Sequence, residues 1–538
     1  SLLGTITDGD IRRAIVKKNG IAGTAVDVMN NNPITFLEGQ TASEIIEKLP
    51  LTIQERNQSS RSFIAKVIIV NSQNVPIRLL DYHELWEQKV ATHRHIVVVG
   101  LGYVGLTLAL ALADEGFYLS GYDVDANKIA QLKKGNCYIH EIGLPELLLE
   151  NVGKTFHPTA ELPANGDVYI ISVGTPVVAQ GKNIPAPILD YLDASVKEIG
   201  KKLDRGNLVV LRSTVPIGTC REFVIPKLEE ASGLKCGLDF HVSFAPERTA
   251  EGKAIKELRE LPQIIGGYNQ DAVEATVAVF RELTSTIVRV ESLEAAEMIK
   301  LVNNSFRDYV FAFANELSVM ASKFNIDVVE AIKSANKGYP RNPIPLPSPG
   351  VGGPCLTKDP YIFANVAHDK GMDGQVFIKG RYINEFMHPF IVSRLKEQLG
   401  FVNKSVQGAN VLICGLAFKG YPETGDIRNS SSVEVYNLLK KEGVNIFGYD
   451  PVAIKEDLEY FEIKEHNVVH GFKGFDAVLF LNNHKSFEKL NVYTMLREMN
   501  EKPIFFDGWS AFHKDDILNA RESVYMNLSA TYNSIIKK

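Results

Sequence analysis

The sequence predicts an α/β protein: two doubly wound sheets joined by a long central helix, with a small α/β module ahead of them. Three observations carry that expectation. Between His95 and about Val290, strand-length apolar runs ("HIVVVG", "YLSGYD", "DVYIISV", "NLVVLRS", "FHVSFAP", "PQIIGGY") alternate with helical segments, the pattern of a parallel sheet with crossover helices. The alternation restarts after about Gln407 in "NVLICGLAF", "VNIFGYDP", "DAVLFLN" and "KPIFFDGW". Between the two lies a helical pattern from about Leu293 to Phe324 that contains neither Pro nor Gly.

Length and composition agree with this plan. A chain of 538 residues exceeds one hydrophobic core and predicts three or four domains. Hydrophobic residues at 45% and charged ones at 23% are those of a soluble globular protein. A net charge of −6 over this length supplies no long-range pull on nucleic acid or anionic lipid, so neither is an expected partner. Five cysteines without CxxC spacing indicate neither a zinc site nor a disulfide framework, and a reducing cytoplasm is the natural compartment. There is no signal-peptide pattern, and Ser1 falls in the middle of what reads as a module, so further residues are expected upstream.

Taken in order, residues 1–92 form the small module, with the strand-turn-helix "LLGTITDGDIRRAIVKKNG" and a weaker unit near "KVIIVNSQNVPIRLLDYHELW". The polar stretch "WEQKVATHRH" marks its end. Residues 93–290 form the first sheet domain, 291–400 the central helical domain and 401–538 the second sheet domain. One stretch mimics a membrane span: Ile96 to Ala113 is uncharged and about 18 residues long. Its glycines divide it into a β-branched strand and a helix-period run from Leu106 to Leu112.

Gly100, Gly102 and Gly105 form G-x-G-x-x-G directly after a predicted strand and at the start of a predicted helix. Such glycines permit a tight turn and bring a pyrophosphate against the free N–H groups of a helix N-terminus, the Rossmann arrangement. Asp123 ends the next strand, where a carboxylate takes the adenosine ribose hydroxyls and repels a 2′-phosphate. NAD is therefore the expected cofactor. Thr175 in "SVGTPV" ends a later strand of the same sheet and is a candidate second wall.

Cys355 follows Gly352, Gly353 and Pro354, which expose its backbone to close approach by a ligand. Lys358 and Asp359 supply charge to tune a thiolate or a water. A thiol beside a nicotinamide site can add to an aldehyde; the thiohemiacetal gives up a hydride to leave a thioester, and water releases a carboxylate. Cys137 in "GNCYIHE" is the competing candidate, whereas Cys414 inside an apolar strand reads as packing. Lys300 and Asn304 lie one helical turn apart and share a face, where they could hold a water or a developing oxyanion. Glu247 and Glu251 flank a loop after a strand.

These residues converge on a known pattern. From about Arg94 to Lys538 the chain resembles the UDP-glucose/GDP-mannose dehydrogenase family, with "GLGYVG", "YDVD", "VGTP", "RSTVPIGT", "APERTAEG", "AEMIKLVNNSFRDYVFAFANEL", "PGVGGPCLTKDP" and "GLAFKGYPETGDIRNSSS" in family order. The resemblance implies oxidation of C6 of a UDP-sugar from alcohol through aldehyde to carboxylate, with two NAD⁺ consumed. It implies that Cys355 is the nucleophile and that Lys300 and Asn304 stabilise the oxyanion while contacting substrate. Asp359 would assist the hydrolytic water and tune Lys300. Glu251 would serve thioester hydrolysis, with Glu247 as its partner at the substrate and Thr214 positioning the water. Tyr103 and Val104 of the glycine loop, Thr214, Glu251 and Arg428 would border the cofactor; Gly352, Lys419 and Arg341 would border the substrate. "NNSFRDYVFAFANEL" with "PSPGVGGPC" is most similar to the branch acting on UDP-N-acetylhexosamines, UDP-N-acetylmannosamine foremost. The lysine after "CLT" leaves UDP-N-acetylglucosamine and UDP-N-acetylgalactosamine open, with UDP-glucose a further alternative. At least a homodimer built on the central helix is implied, and no metal.

The leading module resembles part of a CBS pair through "LLGTITDGDIRRAI" and "VMNNNPITFLEGQ". That implies Thr7 and Asp10 on the ribose of an adenine nucleotide, with pure packing or oligomerisation as the alternative. Two rival functions remain: a two-electron hydroxyacid dehydrogenase, which has no need of Cys355, and a non-catalytic nucleotide sensor.

Overall fold

A computed structural model of the chain describes residues 2–18, 23–40, 44–46, 48–49, 52, 66–81, 94–179 and 184–535. The leading module contains a helix Asp8–Lys18 and a three-stranded sheet of β1 (Thr35–Leu37), β2 (Lys66–Val70) and β3 (Pro76–Asp81), with β1 parallel and β3 antiparallel to β2. Thr7 donates from its N–H and its hydroxyl to the Asp10 carboxylate at 2.8 and 2.7 Å, a local turn at the start of the helix. Thr24 and Asp27 repeat it. The expected linker and the boundary at 92/93 lie outside the described residues.

The first sheet comprises β4 (His95–Val99), β5 (Tyr118–Tyr122), β6 (Phe156–Thr159), β7 (Val168–Ile171), β10 (Leu208–Leu211), β11 (His241–Phe244), β12 (Gln263–Gly267) and β13 (Ile287–Arg289). A separate two-stranded pair, β8 (Val177–Val178) and β9 (Ala186–Pro187), lies between them in the chain. The strand order is β13-β12-β11-β10-β7-β4-β5-β6. Every residue of β4, β7, β10 and β11 is buried, because helices cover both faces, and this is why these strands read as unbroken apolar runs. The 18-residue run that mimics a membrane span ends β4 at Val99 and enters the helix Tyr103–Asp114. No helix among the described residues is long and apolar enough to cross a membrane.

One strand departs from the expected parallel order: β12 runs antiparallel to β11. The seven-residue helix Ala254–Glu260 between them is about 10 Å long and keeps the chain at the C-terminal end of the sheet. That places the loop carrying Glu247 and Glu251 beside the ends of the central strands.

The central helix Leu293–Ser322 starts at the Ser292 cap and packs along the helix Gln375–Phe401. The buried seam between them is polar. Arg381 donates to Asp308 at 2.6 Å and Asn384 donates to Asp308 at 2.8 Å, while Asn315 donates to Asn384 at 2.9 Å. The second sheet, ordered β15-β14-β16-β17-β18-β19, follows: β14 (Asn410–Cys414), β15 (Asn445–Tyr449), β16 (Ala477–Phe480), β17 (Ile504–Asp507), β18 (Val524–Met526) and an antiparallel β19 (Thr531–Asn533). In each sheet the chain order reverses at the first strand, β4 or β14, and leaves a crevice at the strands' C-terminal ends.

The leading module docks at the other end of the first sheet. Ile46 lies against Gly206, just before β10, and its apolar residues join the core that includes Ile96, Leu106 and Leu208.

Candidate active site

The glycine loop has the geometry a dinucleotide needs. Gly100 has φ +91° and its N–H donates to Tyr122 O at 2.8 Å, turning the chain sharply out of β4. A Cβ on Gly105 would stand 1.8 Å from Gly100 O, so only glycine lets the helix approach the strand. A Cβ on Gly102 would meet nothing within 4 Å: it faces open space at a helix N-terminus that has no side-chain cap. Asp123, buried at the end of β5, accepts from Leu101 N–H and Asp125 N–H, both at 2.9 Å. These residues fit a bound dinucleotide.

The second sheet repeats the plan and then closes it. Gly415 has φ +93° and donates to Tyr449 O at 2.8 Å, as Gly100 does to Tyr122. Asp450 occupies the place of Asp123, yet it accepts from Leu416, Ala417, Val452 and Ala453 N–H groups and is hydrogen-bonded to buried His484. Where the first loop has Gly102, the second has buried Ala417. Only the first sheet keeps both the opening and a carboxylate with lone pairs to spare.

Cys355 sits in a loop fixed from two sides. From the central helices, Arg381 donates to Val351 O at 3.1 Å and Asn315 accepts from Ser348 N–H at 2.8 Å. From the second sheet, Asn429 O accepts from Gly353 N–H at 3.0 Å, and Cβ atoms on Gly352 and Gly353 would stand 2.5 Å from Asn429 O and 2.6 Å from the Phe418 ring. The glycines expected to admit a ligand therefore admit the protein's own backbone and ring. Cys355 is an exposed residue. Loss of hydration at the cleft floor, then the charge of Asp359, push it above the usual thiol range; Lys300 and Lys358 oppose them.

Around the thiol the predicted residues fall into contact. Asn304 donates to Asp359 Oδ2 at 2.6 Å, and Lys358 donates to Asp359 Oδ1 at 2.8 Å. Lys358 also reaches Thr175 Oγ1 at 3.5 Å, and that hydroxyl donates to Thr214 O at 2.5 Å, so the cysteine loop is tied to the ends of β7 and β10. Lys300 is buried and donates to Glu247 O. Asp359 is bracketed by Lys358 and Asn304, while Lys300 is held by a carbonyl, so no hydrogen bond joins Asp359 to Lys300 among the described residues. The Glu247 carboxylate, expected at the substrate, pairs with Arg212 and accepts from Arg248 and Thr249 N–H at 2.7 Å. Burial alone would raise its pKa, but Arg212, the Thr249 amide and Lys300 together hold it below the usual carboxylate range.

Glu251 has the opposite environment. Burial, then the charge of Asp426, push it up to about 7 against Lys419, Arg428 and Thr424. Its carbonyl accepts from Lys419 at 2.7 Å and its carboxylate from Thr424 at 3.4 Å, so this loop joins the first sheet to the second. Arg428 is exposed and pairs with Asp426. Arg341 is exposed and makes no hydrogen bond or ion pair among the described residues. Cys137 donates to Ile139 O at 3.3 Å and burial raises its pKa, so it lies apart from this cluster. No metal-ligand cluster occurs among the described residues.

Sequence reasoning missed Arg212, Glu141 and the Asp308 and Arg381 pair. The links Arg212 to Glu247, Glu141 to Gly252 and Ala254, and Arg381 to Asp308 span 35 to 113 positions, beyond any local periodicity.

Comparison with known proteins follows the same divisions. Models of the UDP-glucose/GDP-mannose dehydrogenase family match the chain as its NAD binding domain (residues 94–284), central domain (294–386) and UDP binding domain (412–514). The chain is 33% identical over 417 residues to a UDP-N-acetyl-D-mannosamine dehydrogenase of Pyrococcus horikoshii, 77% of this chain and 94% of that one. It is 35% identical over 356 residues to the enzyme of that name from Campylobacter jejuni, 65% of this chain and 84% of that one. The solved structure of the Pyrococcus horikoshii UDP-D-ManNAc dehydrogenase superposes with a TM-score of 0.72 at 30% identity, covering 81% of this chain and 99% of its own.

Proposed function

Because this chain belongs to the UDP-glucose/GDP-mannose dehydrogenase family and is an NAD-dependent UDP-sugar 6-dehydrogenase, we propose that it oxidises C6 of a UDP-N-acetylhexosamine to the uronic acid through Cys355. UDP-N-acetyl-D-mannosamine is the substrate best supported, since relatives from two genera carry that name over most of their length. The observation that carries the chemistry is an exposed cysteine whose thiol feels the charges of two ammonium groups and two carboxyl groups, Lys300, Lys358, Asp359 and Glu251.

The cofactor would lie on Gly100, Gly102, Tyr103, Val104 and Gly105, with its ribose toward Asp123 and its ring end toward Thr175, Thr214, Glu251 and Arg428. When bound, NAD⁺ supplies the hydride acceptor for each of the two oxidations. Lys300, held by the Glu247 carbonyl, and Asn304 on the same helical face stabilise the oxygen at C6 as it loses its proton. The Cys355 sulfur then adds to the aldehyde: a C–S bond forms, the S–H bond breaks, and the carbonyl oxygen takes the electron pair and that proton. Departure of hydride from that carbon, with loss of the hydroxyl proton, restores C=O as a thioester. Glu251 takes a proton from the attacking water, the C–S bond breaks, and thiol and carboxylate are left. In sum, alcohol, two NAD⁺ and water give carboxylate, two NADH and three protons. Asp359, bracketed by Asn304 and Lys358, orients both partners, and Lys419, Arg341 and Gly352 border the UDP-sugar. Glu247 acts through its carbonyl and its ion pair rather than as a substrate ligand.

Three wider readings belong to the same proposal. The leading module is CBS-like and takes an adenine nucleotide; its support is the repeated Thr and Asp turn at Thr7 and Thr24. Exposed Phe306, Tyr309 and Phe313 on the central helix, with Tyr382 and Phe386 on its neighbour, form the face of a homodimer. The unpaired thiols suit a reducing cytoplasm.

The test is NADH yield with limiting UDP-N-acetyl-D-mannosamine and excess NAD⁺, followed to completion. Two NADH per sugar, abolished in Cys355→Ala, is the expected result. One NADH per sugar, or turnover that survives the substitution, would restore the two-electron dehydrogenase reading.

A further inference from the structure

Glu141 was assigned no role above; it ends the stretch "GNCYIHE" and lies in the loop before the helix Leu144–Asn151. It is 3% exposed, and its carboxylate makes no ion pair among the described residues. Three neutral donors satisfy it instead. Gly252 N–H donates to Oε2 at 2.6 Å, Ala254 N–H to Oε1 at 2.9 Å, and the Tyr103 hydroxyl also donates to Oε2. A buried carboxylate without a contacting cation is costly to keep. What this one secures is geometry.

Its donors belong to two functional elements. Tyr103 is the first residue of the helix that follows Gly102, at the end expected to hold the cofactor phosphates. Gly252 follows Glu251 within its turn, and Ala254 begins the helix after it. Gly252 is itself confined, with φ +84° and room for a Cβ closed off by Glu423 O at 2.7 Å. The turn is thus held against the second sheet on one side and, through Glu141, against the cofactor helix on the other.

We propose that Glu141 is a positioning residue that ties the Glu251 turn to the first turn of the cofactor helix, so that Glu251 meets the thioester water only in the geometry set by the cofactor loop. This rests on the role given to Glu251 above. The tie acts on a group already surrounded by charge: Asp426, Lys419 and Arg428 of the second sheet domain face Glu251, and Tyr103 and Cys355 feel its charge. Burial, then the Glu141 hydrogen bond, push Tyr103 well above its usual range, so its hydroxyl keeps its proton and remains a donor.

The experiment uses the full chain with NAD⁺ and UDP-N-acetyl-D-mannosamine and compares wild type, Glu251→Gln, Glu141→Gln and Tyr103→Phe. Intact-protein mass spectrometry reads the sugar thioester on Cys355, and the pH profile of NADH formation reads the Glu251 limb. Glu141→Gln loses acceptors for its donors and is expected to accumulate thioester, with kcat down roughly tenfold or more and a displaced limb, while KM for the sugar holds. Tyr103→Phe leaves both backbone bonds in place and is expected to shift in the same direction by less, so it decides the matter if Glu141→Gln does not fold. Thioester in Glu251→Gln with a wild-type profile in the two other variants overturns the role of Glu141. Absence of thioester in Glu251→Gln overturns the reading of Glu251 itself.

Discussion

Glu247 and Glu251 share one loop, four positions apart, and titrate in opposite directions. Glu247 lies below the ordinary range because Arg212, the Thr249 amide and Lys300 together outweigh its burial. Glu251 stands at about 7 because burial and Asp426 outweigh Lys419 and Arg428. A raised carboxyl acts as a base only once it has lost its proton, so the hydrolytic step should speed up as pH rises through about 7 and then level off. Single-turnover acid formation across that range checks this, and Glu251→Gln should lose the limb; a limb that survives would assign it elsewhere. The linkage has the opposite sign for stability. The protonated, buried Glu251 favours the folded state below the ordinary carboxylate range, and that contribution fades as pH passes about 7. At this scale the sequence singled out residues whose types suit the chemistry, because type and motif spacing are local. It left Arg212 and Glu141 unseen, since neither has a periodic relation to its partners.

Elements explain why only one of two similar loops is open. "GLGYVG" and "GLAFKG" both turn on a glycine of φ near +90° and both tie the next residue to an aspartate, but Gly102 faces space where Ala417 is buried. Gly102→Ala should therefore fold with unchanged Tm while its methyl fills the space left for the pyrophosphate, weakening NAD⁺ at least about tenfold by calorimetry. Gly105→Ala should instead fail in folding, at a cost of about 3 kcal/mol, because its Cβ would overlap Gly100 O. Equal effects of the two substitutions on stability would refute this division. The strand and helix sequence was legible in the chain, since buried parallel strands read as apolar runs. The reversal of β12 was not, because the direction of a strand depends on where its connection ends.

Across the whole molecule, the cysteine loop is positioned by residues from the central helices and both sheets, while the leading module sits at the opposite end of the first sheet's strands, against Gly206 before β10. Removing residues 1–92 should leave two NADH per sugar and lower Tm, because Ile45, Ile46, Phe36 and Leu80 share a core with the first sheet. The CBS-like reading adds that AMP should bind the full chain and not the shortened one, as calorimetry would show. Loss of turnover in the shortened chain would mean that the module reaches the site. By itself the sequence determined the two sheets, the glycine loop, the helix carrying Lys300 and Asn304, and the exposed cysteine, since these depend on local pattern and residue type. Only the tertiary structure decided that Asp359 pairs with Lys358, that Glu247 turns its carboxylate to Arg212, and that Glu141 joins the cofactor helix to the Glu251 turn. Those choices depend on which buried polar groups meet once separate elements pack, and each must find a partner when water is removed.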